Sequence, residues 1–206
     1  MHYRFVFVAI LLAALTAGAG RAAAIELSQE IRDMYAAVSA EPPNASYMTV
    51  CYGFVCRRRT TLVFSAADRA ALVGLLNKGQ ASPEAERKAV QQAVVWLDRR
   101  MGDVIGTSRR VALADFRAGD DFHNYDCYDT TRNAVSLLLV LQEWRLFRHH
   151  TVGNPIFRGN ILIGQTPHNT AVLIDRGRRG WVVDLWPKGY AEPPDVMPVE
   201  QWLAEK

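Results

Sequence analysis

Cys127, His168 and Asp184 are the residues of this 206-residue sequence whose types and order suit nucleophilic acyl transfer. Cys127 stands in NYDCYDTTRN at the head of a long apolar segment. His168 opens HNTAVLID, and Asp184 interrupts the apolar run WVVDLW. A thiol attacks a carbonyl as its thiolate, and a helix N-terminus favours that form through aligned peptide dipoles and free N–H groups. Cys127 is expected at such an end. An imidazole would take the thiol proton as general base, and a carboxylate would fix its tautomer and stabilise its cation. Aspartate is depleted in strands and costly to bury alone, so a histidine partner explains the position of Asp184. This chemistry calls for no cofactor and no metal.

Neighbouring residues have less specific signals. Asn124 and the backbone N–H of Cys127 are candidates to hold an oxyanion, with helix capping the alternative for Asn124. Asp126 and Asp129 suit a helix start but oppose ionisation of the thiol between them. Either they bind a cationic group of a substrate, or Asp126 caps the helix. Tyr128 and Trp186 would line a cleft or pack in the core. His149 and His150 follow the end of the apolar helix, where cationic side chains suit the dipole.

The elements that must position these groups follow from period and punctuation. Ser28 caps a helix over 28–39 with Ile31, Met34, Tyr35 and Val38 on one face. Residues 48–56 and 60–64 read as two short strands around CYGFVC. SAAD at 65–68 and SPEAE at 82–86 are helix starts, the second with Pro83 in the first turn. CYDTTRNAVSLLLVLQEWRLF has little polar surface in its middle and belongs at the centre of the domain. Segments 160–164, 168–175 and 180–186 have strand patterns, the last two joined by a tight RGRRG turn, and PVEQWLAEK closes with a short helix. Helices followed by an antiparallel sheet make an α+β domain.

The N-terminus MHYRFVFVAILLAALTAGAGRAAA has a basic n-region at Arg4, an apolar run from Phe5 to Leu15 and an A-x-A site ending at Ala24. That is the form of a cleaved secretory signal peptide over 1–24, and its apolar run is shorter than the ~20 residues that cross a bilayer. The expected mature chain is one domain over 25–206, periplasmic or secreted, with no membrane attachment after cleavage. Removing Arg4 and Arg21 brings the net charge from +3 to +1. The remaining arginines are scattered, which argues against nucleic acid as a partner. An oxidising compartment favours disulfides. Cys51 and Cys56 are within reach across a tight hairpin and read as a pair, which leaves Cys127 as the free thiol.

The stretch from 127 to 186 resembles the catalytic core of the transglutaminase-like branch of the papain-like cysteine peptidase superfamily. In that fold the nucleophilic Cys heads a buried helix, the His starts a strand and the Asp lies on the next. The flanks DCYD, PHNTAVL and VVDLW are similar to those of an exported bacterial branch. The resemblance implies a papain-like arrangement with Cys127 as nucleophile, His168 as base and Asp184 as orienter, acting on amide bonds of a protein, peptide or cell-wall peptide. The Asp126-Cys127 pair is also similar to the NlpC/P60 group of peptidoglycan peptidases. Other readings are a zinc-binding protein using Cys127, His168 and Asp184, and a partner-binding scaffold without catalysis. The intact mass of the exported protein is expected to correspond to residues 25–206 with one disulfide and one free thiol. A mass that includes residues 1–24, or a disulfide through Cys127, would contradict this.

Overall fold

Serine hydroxyls begin the first three helices. In the computed structural model, which describes residues 26–114, 117, 121–160, 162 and 164–205, Ser28 caps α1 (Gln29–Ala36), Ser65 caps α2 (Ala66–Lys78) and Ser82 caps α3 (Pro83–Ile105). Each hydroxyl accepts the N–H three residues on, which satisfies one of the free donors at a helix start. Asp68 returns the bond to the Ser65 N–H, completing a capping box. Gly106, at φ 76, ends α3 in the left-handed conformation that glycine adopts without steric cost. The expected signal segment, residues 1–24, lies outside the described residues.

The strands are β1 (Tyr47–Tyr52), β2 (Arg58–Val63), β3 (His150–Arg158), β4 (His168–Asp175) and β5 (Gly180–Val183). β1 and β2 form an antiparallel pair, and β3–β4–β5 form a second antiparallel sheet with β4 in the middle. The remaining helices are α4 (Cys127–Glu143) and a short α5 (Val199–Ala204). The architecture is α+β. No helix among the described residues is long and apolar enough to cross a membrane.

α4 lies between the two sheets and is buried at every position from Cys127 to Leu141 except Tyr128. Its Leu137, Leu138, Leu139 and Leu141 join Met48 and Val50 of β1, Val94 and Met101 of α3, and Ala171 and Leu173 of β4 in one hydrophobic cluster. Burying a leucine side chain is worth about 1.5–3 kcal/mol, so this apolar half holds the layers together. The polar first half of the helix sets how they align.

Two expectations are corrected. Of the strand expected over 160–164, no described residue is in a strand, and Leu162 is 92 % exposed. The third strand comes earlier, at β3. A register shift between Gly153 and Ile156 breaks its alternation, and Pro155 fits there because β3 is an edge strand. His150 is also no exposed helix-end cation. It is buried at the start of β3, with its Nδ1 2.8 Å from Glu86 Oε1.

Glu86 is itself fully buried and accepts the backbone N–H groups of Arg148, His149 and His150, which joins α3 to the start of the sheet. Burial alone would raise its carboxyl pKa, but the His150 ring and the Arg148 and His149 amides hold it below the usual range. A depressed pKa stabilises the fold above the carboxylate range, and that stability is lost as pH falls through it. Glu86→Ala is expected to cost about 3–5 kcal/mol at neutral pH, measured by urea unfolding. It should also flatten the loss of stability of the wild type below about pH 4.3.

Candidate active site

The N-cap of α4 is Asp126, whose Oδ1 accepts the N–H of Asp129 at 2.8 Å. Cys127 is therefore the first helical residue. It is a free thiol, 7 % exposed. Its Sγ is 4.0 Å from the Pro167 carbonyl oxygen, and the N–H of Asn169 is directed at it. The thiol thus lies against the backbone on both sides of His168. Thr131, one turn along α4, donates from its hydroxyl to the Asn169 carbonyl at 2.9 Å and fixes this contact.

His168 opens β4 and is buried. Its Nε2–H donates to Asp184 Oδ2 at 2.6 Å, and the Trp202 indole N–H donates to the same oxygen at 2.8 Å. The β4–β5 register pairs Ala171 with Val183. Continued by one residue it sets Asp184 opposite Thr170, one diagonal step from His168 on the same face. Asp184 lies just past β5, where its N–H and carbonyl exchange bonds with Asp195. The Trp186 and Trp202 rings lie 4.7 and 5.3 Å from the imidazole. With Nε2 carrying the hydrogen, Nδ1 is the basic nitrogen. It is buried and has no hydrogen-bond partner among the described residues.

The remaining candidates have other employment. Asn124 accepts Val111 N–H on Oδ1 and donates from Nδ2 to Asp121, so its amide holds a loop. The backbone N–H of Cys127 sits at the free end of the helix and is directed at its own sulfur. Asp126 is the cap, and its second oxygen accepts Val55 N–H at 2.8 Å. Both of its oxygens thus take part in holding the helix start to the β1–β2 turn. Asp129, fully buried, accepts Phe54 N–H at 2.9 Å and Cys56 N–H at 2.7 Å. Tyr128 is 39 % exposed beside the thiol, and Trp186 is tied by its indole N–H to the Ala114 carbonyl at 2.7 Å.

Three of the donors to these two carboxylates come from a left-handed turn. Gly53, Phe54, Val55 and Cys56 have φ of 74, 68, 51 and 56°, and a disulfide joins Cys51 to Cys56 across it. Left-handed backbone costs non-glycine residues roughly 1–2 kcal/mol each, most severely for the β-branched Val55. Asn133 completes the contact by exchanging two bonds with the Cys51 backbone, both 2.8 Å. Residues 126, 129 and 133 share one face of α4, the spacing of a helical stripe.

The expected acidification of the thiol by the helix start is corrected. Burial pushes the Cys127 thiol up to about 11. The Asn169 and Cys127 amides oppose this shift, while the Asp126 and Asp184 charges add to it. Burial also raises the carboxyls of Asp126 and Asp129, and the Asp126 charge raises that of Asp129 further. The thiol is therefore neutral at rest, and its proton must leave as it reacts. Cys127, His168 and Asp184 are not among the described residues that bring three donor atoms within 4.8 Å of one another. Among the described residues, Cys51, Cys56 and Asp129 are the group that brings three donor atoms within 4.8 Å, and two of these are the disulfide sulfurs.

No family model, no curated protein and no solved structure matches this chain.

Sequence reasoning missed Trp202, Asn133 and Thr131. A tryptophan in a short terminal helix reads as core, and only its proximity to Asp184 gives its N–H a purpose. A reaction-free consequence follows from the raised thiol. In His168→Gln, which removes the base at similar volume, alkylation of Cys127 by iodoacetamide should still climb between pH 9 and 10. Levelling off near pH 8.5, the ordinary thiol range, would contradict it.

Proposed function

We propose that this chain is an exported thiol hydrolase or acyltransferase that acts on amide bonds through Cys127, His168 and Asp184 on a papain-like, transglutaminase-like core. One observation carries the reading. The buried imidazole is hydrogen-bonded to a carboxylate through one nitrogen, while its other nitrogen, without a partner among the described residues, lies on the strand end that packs against a helix-start thiol.

The steps follow from those positions. Cys127 Sγ attacks the carbonyl carbon while its proton passes to His168 Nδ1. Asp184, which also accepts the Trp202 indole N–H, stabilises the imidazolium. The oxyanion forms at the free end of α4, where the Cys127 N–H lies. The imidazolium then protonates the leaving amine, and the acyl-enzyme passes to water or to an amine. Protein, peptide and cell-wall peptide donors all present the required carbonyl.

The test is acyl transfer from p-nitrophenyl acetate at pH 7. The wild type is expected to become acetylated on Cys127, with His168→Gln at least about 100-fold slower, the usual share of a general base. Equal acetylation rates in the two proteins would sink the reading.

A further inference from the structure

The left-handed turn at 53–56 belongs to no element of the proposed reaction, yet it is bonded to the residues on either side of the nucleophile. Its three successive N–H groups, from Phe54, Val55 and Cys56, enter the carboxylates of Asp129 and Asp126. The Gly53 N–H enters the Asn124 carbonyl at 3.0 Å. At these positive φ values the three donors converge on the two carboxylates. Two buried carboxylates beside a neutral thiol require those donors, because a buried anion without them is costly. The turn in turn needs a clamp, because three of its four residues are not glycine. The Cys51–Cys56 bond supplies that clamp across the two ends of the run, and Asn133 holds the Cys51 end to α4.

From this geometry we infer that the disulfide positions Cys127: Asp126 and Asp129 are positioning residues, and the start of α4 holds its reactive form only while Cys51 and Cys56 are joined. The inference rests on the proposed thiol chemistry and adds its regulation. A dithiol that donates two electrons and two protons to the Cys51–Cys56 bond, becoming a disulfide itself, leaves two thiols and an unclamped turn. The three amides then relax from left-handed backbone, and the carboxylates at the helix start lose their donors. Cys127 no longer presents its sulfur to the His168 strand. A chain kept in a reducing compartment would therefore carry its nucleophile in an unassembled site until oxidation closes the bond.

The experiment compares the oxidised wild type with Cys51→Ala/Cys56→Ala, each with His168 and with His168→Gln. Two quantities are read: amide hydrogen exchange and the rate of Cys127 acetylation. In the disulfide-free protein, protection at 54–56 and 127–130 should fall at least tenfold while that of 137–141 is retained. The rate advantage conferred by His168 should shrink to within twofold. Asp129→Asn, with the disulfide intact, replaces one acceptor by a donor. It should lose protection at the same amides, and it serves if the double variant does not fold. Unchanged protection at 127–130, or an undiminished His168 advantage without the disulfide, would overturn the inference. Absence of any His168 advantage in the oxidised protein would instead refute the proposed base, and the exchange data would still decide the role of the disulfide.

Discussion

The constraint on which the structure depends is the burial of the polar first half of α4. Asp129, Thr130, Thr131, Arg132, Asn133 and Ser136 all lie inside the protein, where each polar group without a partner would cost about 1–3 kcal/mol. Most of the bonds that satisfy them dock a neighbouring element. Asp129 takes the backbone of the β1–β2 turn, and Asn133 that of Cys51 in β1. Thr131 takes β4. Arg132 donates to the Met34 carbonyl in α1, and Ser136 shares a hydrogen bond with Tyr35. Apolar contacts tolerate sliding, but hydrogen bonds do not, so leucines give this helix its cohesion and its polar residues give it one alignment.

A second anchor works at the far side of the sheet. Arg110 and Asp98 form a bidentate pair, with nitrogen–oxygen distances of 3.0 and 2.8 Å, and Arg110 also reaches the carbonyls of Lys188 and Gly189. Asp98 accepts the Ala191 N–H in addition. The chain that leaves Asp184 and Trp186 is thereby fastened to α3. With α5 supplying Trp202, Asp184 is held from both directions, and the imidazole has one orientation to adopt.

Much of this was legible before any coordinates, for physical reasons that differ from place to place. Serine caps and Pro83 announce helix starts because local hydrogen bonding decides them. β4 and its pairing with β5 were readable from an apolar run and a short turn, and Asp184 from the oddity of a charge in a strand. The Cys51–Cys56 bridge followed from spacing. What stayed hidden was non-local. The partners of Asp126 and Asp129 are main-chain N–H groups, which every residue carries and no sequence pattern marks. β3 was disguised by its bulge. The Cys127 thiol is raised, not lowered; helix position is visible in a sequence while burial depth is not, and here burial is the larger cause.

The two halves of the candidate site differ in how far the chain must travel to make them. His168 and Asp184 are 16 residues apart and meet across a hairpin. Asp129 and Phe54 are 75 apart. Closing the longer loop costs about 1 kcal/mol more entropy, and contacts of that span form late because their closure precedes any reward. The imidazole and its carboxylate are thus products of local chain folding. The seat of the thiol is set only when a turn made early in synthesis meets a helix made much later.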